Sequence, residues 1–336
     1  MTALDMALSL RPANVAHRLG ASSRLPILNA ADLLRALPET QALATVPAVA
    51  ETTVAGILRA AREENAVVGV ALAPSPERNR ASGLVAGVLR SAEEGRHRLP
   101  FFVQAGPFDA TSADARELAL LGRAVFDHVE AGATLISVDA SALPWEHQPV
   151  VMDELLRPAL EAELAVELVS PADPATARTW LEGLLHAGIR PTFARCSSTA
   201  FVAGGKVDFA QVRAWVEVLR VARVAPSVEL RGVVAKDAAA WTAAGVRKLE
   251  AGDDLARGAL ARLPEAMREE LSAGARTVAT WRLLGAVREA LDALEEGQQE
   301  RMEALTFGEA FELLAACGAA GSGKATLARL AELGPA

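Results

Sequence analysis

Tyrosine is absent from the 336 residues, and only two cysteines occur, Cys196 and Cys317. Two thiols cannot build a disulfide framework, so a secreted, disulfide-stapled scaffold is excluded. Lysine is scarce, four against thirty arginines, and no dense basic block appears anywhere. With 34 basic and 42 acidic residues the net charge is −8. Nucleic acid and anionic membrane surfaces are therefore not expected partners. Apolar runs such as 66–74 fall far short of the roughly 18 residues a membrane span requires. The first residues carry Asp5 and lack a basic leader, which argues against a secretory signal and for a cytoplasmic protein. No GxGxxG follows the first β-like run, so a dinucleotide fold is disfavoured.

What remains is ordinary globular material, 51% hydrophobic and 23% charged. Short β-favouring runs appear at 42–49, 66–73, 100–104, 134–139, 163–169, 191–196, 227–231 and 246–250. Helical spacing fills stretches between them, for example 52–65, 112–132, 173–188 and 208–222. Several of these helices end in Gly132, Gly188 or Gly245, the residue best suited to a left-handed C-cap. Strands joined by crossover helices make a parallel sheet. Eight such units in roughly 210 residues fit a closed α/β barrel, the (β/α)₈ TIM barrel, better than an open sheet. Residues 1–40 read as a lead-in with a helix near 29–37 capped by Asn29. Residues 41–256 read as the barrel. Residues 257–336 read as a helical C-terminal extension, with helices at 255–262, 264–274, 277–296 and 300–317. That extension needs a surface to cover its apolar faces, either the barrel or a second subunit, so a homo-oligomer or protein partner is one expectation.

Side chains alternate along a strand, so parity can be carried from residue to residue. Placing Val138, Val166, Val228 and Leu249 against the helices points Asp139, Glu167, Glu229, Arg231, Lys248 and Glu250 into the barrel. Gln104 joins them from the third strand. One reading is a buried ion-pair network that fills the barrel. The other is a remodelled ligand pocket at the C-terminal mouth, where barrel sites lie. Both readings stand at this level. Lys248, Asp139 and Glu167 are the candidate catalytic residues. Gln104, Glu229, Arg231, Glu250 and His147 are the candidate binding residues for a small molecule.

The order of local motifs resembles the class II, metal-dependent ketose-bisphosphate aldolases over residues 28–256. Six segments carry the resemblance: 32–46, Ala60-Ala61-Arg62-Glu63-Glu64-Asn65, 131–141, Leu143-Pro144-Trp145-Glu146-His147, Val166-Glu167 and 245–254. The resemblance implies a (β/α)₈ barrel and carbon–carbon lyase chemistry on a sugar phosphate, with a metal polarising the carbonyl. It also implies ligand histidines at three places where this chain has Gly106-Pro107, Ala203-Gly204-Gly205 and Arg231-Gly232. Glu250 stands where the family has asparagine. Val233, Val234, Asp253 and Asp254 stand where the family has a small phosphate-binding loop and its neighbours. No metal and no cofactor are therefore expected. A non-catalytic or strongly remodelled homologue is the first functional expectation, and an active aldolase the alternative.

Among the other signals, 318–326 superficially matches the P-loop pattern. Ala325 follows Lys324 where Ser or Thr is required, and no strand precedes it, so it reads as a linker. Barrel topology assigns His97, His128 and His186 to the end opposite the mouth and leaves only His147 near it. Cys196 reads as a small buried hydrophobe. Trp145 reads as a residue of the mouth loop that could line a pocket.

Overall fold

The computed structural model describes residues 2–75, 78–233, 235–274, 282 and 284–334. Eight parallel strands close into a barrel. They are β1 (Leu43–Pro47), β2 (Val68–Leu72), β3 (Phe101–Asp109), β4 (Leu135–Asp139), β5 (Ala165–Val169), β6 (Phe193–Ser197), β9 (Ala225–Glu229) and β10 (Lys248–Glu250). A short hairpin of β7 (Val202–Ala203) and β8 (Lys206–Val207) sits in the loop after β6. Every expected strand is present, and the fold is a (β/α)₈ TIM barrel with C-terminal helices. The cause is visible in the alternation. Val46, Val70, Val103, Ile136, Val166, Ala194, Val228 and Leu249 all face outward into one continuous helix-packed core. Strand β3 runs five residues further than expected, because a register shift between Ala105 and Phe108 absorbs the Gly106-Pro107 step. Strand β9 ends at Glu229 rather than at Arg231.

The helices between the strands are α4 (Glu51–Glu63), α5 (Arg78–Glu94), α6 (Ala115–Ala131), α7 (Gln148–Glu161), α8 (Pro174–His186), α9 (Phe209–Val221) and α10 (Ala239–Ala243). Gly132 ends α6 at φ +113°, a left-handed cap that any Cβ would strain. Ahead of the barrel lie α1 (Ala3–Ser9), α2 (Ala13–Leu19) and α3 (Ala30–Ala36). Asn29 caps α3 by accepting from the Ala31 N–H at 3.0 Å. Its amide also donates to the Glu163 carbonyl at 2.7 Å, which ties the lead-in to β5.

After β10 come α11 (Asp253–Leu260), α12 (Glu265–Gly274), α13 (Arg288–Asp292), α14 (Glu296–Ala316) and α15 (Ser322–Leu333). The extension packs on its own barrel. Helix α14 lies along α4, held by an Arg59–Glu303 ion pair at 2.9 Å. A Cβ at Gly56 would come within 2.5 Å of the Glu303 carbonyl, so only glycine lets the two backbones approach. This helix therefore occupies the slot after the eighth strand and completes the helical ring. Leu327 and Leu330 of α15 join Leu33 and Leu37 over Leu43, Phe102, Leu135 and Phe193, sealing the N-terminal end of the barrel. At the opposite end Leu284 and Leu291 pack with Ala71, Ala73, Leu255 and Met302. Part of the helix expected at 277–296, with Trp281, lies outside the described residues. Its described remainder is a 3₁₀ turn, Gly285–Val287, followed by α13.

The glycine-rich segment at 318–326 is a turn into α15, not a linker. The Gly321 N–H donates to the Glu64 carbonyl at 2.8 Å, and the Gly323 N–H to the Asn65 carbonyl at 2.6 Å. The Lys324 N–H donates to Asn65 Oδ1 at 3.2 Å. These donors are spent on the α4–β2 turn. Among the described residues no helix is long and apolar enough to cross a membrane.

Two outcomes follow from the sealing role of the extension. Truncation after Gly274 removes the last ring helix and the lower seal, so the product should aggregate, as read by size-exclusion chromatography. Leu330→Ala should cost roughly 2–5 kcal/mol in urea unfolding, the usual range for a fully buried leucine.

Candidate functional site

The inward residues of the barrel form two kinds of layer. The lower one is apolar, with Leu43, Phe102, Leu135 and Phe193. Gly69 makes room there for the Phe102 ring, which a Cβ would overlap. Above it the interior turns polar: Thr45, Gln104, Ser137, Glu167, Arg195, Ser227 and Lys248 are all buried, and Glu229 and Glu250 lie nearer the mouth. Register brings them together, since Lys248 pairs with Ser227, Ser227 with Arg195, and Glu250 with Glu229.

Arg195 is the hub. Its Nη2 lies 2.9 Å from both Glu229 Oε1 and Glu250 Oε1, and its Nη1 lies 3.8 Å from Glu167 Oε2. Lys248 Nζ donates to Glu167 Oε1 at 2.9 Å and lies 3.8 Å from Glu250 Oε2. Gln104 Nε2 donates to the same Glu250 oxygen at 2.7 Å. Charges this deep are tolerated only when paired and hydrogen-bonded, because removing each from water costs several kcal/mol.

The titration directions report the balance. Burial opposes the charge on Arg195, but Glu250, Glu229, Glu167 and Asp139 outweigh it and raise its pKa. Burial would also raise Glu167, yet Lys248 and Arg195 hold its carboxyl below the ordinary value. Glu250 goes the other way. Burial pushes it up, and the charges of Glu229 and Glu167 add to what Arg195 and Lys248 offset. Two cations face three carboxyls, so the cost of burial is not fully offset at Glu250. Thr45 Oγ1, Gln104 Oε1, Ser137 Oγ and Arg195 Nη1 have no hydrogen-bond partner within the protein. Buried polar atoms of this kind take their bonds from water or from a ligand.

Of the residues singled out by parity, Gln104, Glu167, Glu229, Lys248 and Glu250 converge in this network. Asp139 stands apart at the end of β4, half-buried, accepting from the Ser141 N–H at 2.9 Å. Arg231 lies two residues beyond the end of β9, where strand parity no longer applies. The chain bends after Glu229, and the Arg231 N–H donates to Ser198 Oγ at 2.8 Å. His147 is exposed at the start of α7 with no capping bond from its side chain. Trp145 does not line the barrel mouth; its indole packs against Gly183 of α8. Val234 lies outside the described residues. Arg195 is the residue the sequence reading missed. Its signal was available in Phe193-Ala194-Arg195-Cys196, where apolar Ala194 and Cys196 face the helices. Cys196 sits there with its thiol pushed up to about 12 by burial, and donates to the Ser170 carbonyl at 3.1 Å.

Two helix N-termini at the mouth end are capped from the C-terminal extension. Asp292 Oδ1 accepts from the Glu51 N–H of α4 at 2.9 Å. Glu309 Oε2 accepts from the Leu255 N–H of α11 at 2.8 Å. Beside it, the Gly232 N–H donates to Asp253 Oδ2. Burial lifts Glu309 from 4.5 to about 7, with Asp254 and Asp253 adding to the push against the helix N–H bonds.

No family model matches the chain, and no curated protein matches it. Solved structures do. One is a protein assigned as a fructose-1,6-biphosphate aldolase from Coccidioides immitis, at TM-score 0.58 and 15% identity. Another is the YdjI aldolase from Escherichia coli, at TM-score 0.58 and 16% identity. Each alignment covers 87% of this chain and 96% of the other. The fold is aldolase-like.

The metal of the family it resembles does not fit these residues. Among the described residues no group of three or more His, Cys, Asp or Glu is arranged to hold an ion. The inward carboxylates are instead engaged by Arg195, Lys248 and Gln104. His97 is buried at the end opposite the mouth, its pKa lowered to about 3 by burial, with Arg62 and Arg98 nearby.

Two measurements check this electrostatic picture. Lys248→Met strands the buried Glu167 and should cost about 3–5 kcal/mol, most of it recovered in Lys248→Met/Glu167→Leu. Glu309 has a raised folded pKa, so the stability it contributes is present below pH 4.5 and lost as pH rises through about 7. Glu309→Gln removes that loss, so its melting temperature relative to the parent should climb between pH 5 and pH 8.

Proposed function

We propose that this chain is a non-catalytic member of the aldolase-like barrels that binds a small polar molecule at its C-terminal mouth. The observation that carries the reading is the closed ion-pair network. Lys248 lies 2.9 Å from Glu167 and shares Glu250 with Arg195. A lysine attacks a carbonyl with the lone pair of a free amine, and the Lys248 Nζ is instead engaged by Glu167 and faces Glu250. The carboxylates that could serve as bases are themselves neutralised by Arg195. Metal-assisted polarisation has no donor set among the described residues. What the interior retains is recognition capacity: hydroxyl and amide oxygens of Thr45, Ser137 and Gln104 without hydrogen-bond partners, beneath a mouth edged by Asp139 and Arg231.

The alternative is an active carbon–carbon lyase, the activity named for the structural neighbours. One feature favours it: Lys248 is a buried strand lysine beneath the mouth, the address of a Schiff-base residue. The two readings part in a single pair of assays. Fructose 1,6-bisphosphate cleavage is measured with and without added zinc, and borohydride is added in the presence of dihydroxyacetone. No triose phosphate and no adduct on Lys248 are expected. Turnover, or a trapped adduct at Lys248 found by mass spectrometry, would give the lyase reading the lead.

A further inference from the structure

Three hydroxyl and amide oxygens inside the barrel have no partner, and each belongs to a fully buried side chain: Thr45, Gln104 and Ser137. They come from β1, β3 and β4, whereas the two interior cations, Arg195 and Lys248, come from β6 and β10. Inward side chains of alternate strands share a layer in barrels of this kind. The register puts Gln104 level with Thr45, and Ser137 one step nearer the mouth on the strand beside Gln104. Asp139 follows Ser137 on the same face of β4, two residues further toward solvent. Its carboxylate accepts from the Ser141 N–H and has no ion pair among the described residues. One side of the interior thus carries acceptor oxygens and a carboxylate with no cation to meet them.

We propose that the mouth takes a small primary amine, bound as its ammonium on the β1–β4 side, between Asp139 and the oxygens of Ser137, Gln104 and Thr45. This deepens the reading of the mouth as a ligand site and rests on it. Asp139, Glu167, Glu229 and Glu250 bring four carboxyls, and Arg195 and Lys248 are the cations set among them. The rim does not supply the missing charge. Arg282 is matched there by Asp109, and Arg231 adjoins the contact of Gly232 with Asp253. Water bonds to buried oxygens of this kind but brings no charge. Buried carboxylates in excess are costly until a cation joins them. An ammonium group brings three N–H donors and one positive charge, the two things this side lacks. A phosphate or carboxylate ligand would need donors there and would meet Asp139 on entry.

The test is isothermal titration calorimetry on the full chain near neutral pH with three probes of one size: ethanolamine, ethylene glycol and glycolate. They share a hydroxymethyl arm and carry an ammonium, a hydroxyl or a carboxylate on the other carbon. Sodium chloride keeps the ionic strength equal throughout. Saturable binding is expected for ethanolamine alone. Thr45→Val and Ser137→Ala remove oxygens that bond to nothing in the protein, so both variants should keep the parent's melting temperature. Asp139→Asn keeps an oxygen for the Ser141 N–H and removes the charge. Ser137→Ala and Asp139→Asn should each weaken ethanolamine about tenfold, the scale of one hydrogen bond to a charged group. If Ser137→Ala does not fold, Asp139→Asn at the rim carries the comparison. No binding of ethanolamine would overturn the proposal, and so would unchanged binding in the folded variants. Ethylene glycol or glycolate bound as tightly as ethanolamine would also overturn it, leaving the mouth a ligand site of another kind. The readout is binding of matched probes, so it stands apart from turnover or adduct formation, which test the non-catalytic reading.

Discussion

A single guanidinium holds the inside of this barrel together. Arg195 is surrounded by Glu167, Glu229 and Glu250, and Lys248 bridges two of those same carboxyls. None of these groups is stable there alone, because each loses its water on burial and regains the loss only through the others. The network draws residues from β3, β5, β6, β9 and β10, so it constrains the register of most of the barrel at once. A one-residue slip of any of those strands would turn a polar group into the helix layer and an apolar side chain into the polar centre. The interior therefore acts as a lock on the fold as well as the floor of its candidate site.

The two ends of the barrel are closed by different segments, and both closures use the C-terminal extension. Below, α3 and α15 cover the apolar layer around Phe102 and Phe193. Above, Arg282 reaches Asp109 Oδ1 at 2.6 Å, and Leu284 and Leu291 cover the ends of β1 and β2. The same extension supplies Asp292 and Glu309 to the N-termini of α4 and α11. Segments that read as an appendage thus complete the ring, seal it, and set the electrostatics of the mouth.

Strand positions were legible because alternation and burial enforce the same pattern locally: one face of each strand must meet helices, and Val, Ile and Ala sit there. Parity then placed Gln104, Glu167, Glu229, Lys248 and Glu250 correctly. It does not reach Arg231, because alternation holds only along the extended strand, which ends at Glu229. The same parity would have found Arg195, whose neighbours Ala194 and Cys196 both face outward. The linker reading of 318–326 failed for a different reason. Its glycines serve a turn whose N–H groups bond to Asn65 and Glu64, a contact no local motif encodes.

The amino-acid sequence alone determined the class of fold, the number of strands and most of the inward polar set, because each is a property of local periodicity. Tertiary structure decided which cation pairs with which carboxylate, and that α14 closes the ring instead of standing outside it. It also decided that Glu309, far along the chain, sits at the start of α11. These outcomes depend on distances between segments remote in sequence. The free energy of a buried charge is set by its neighbours in space, whatever their position in the chain.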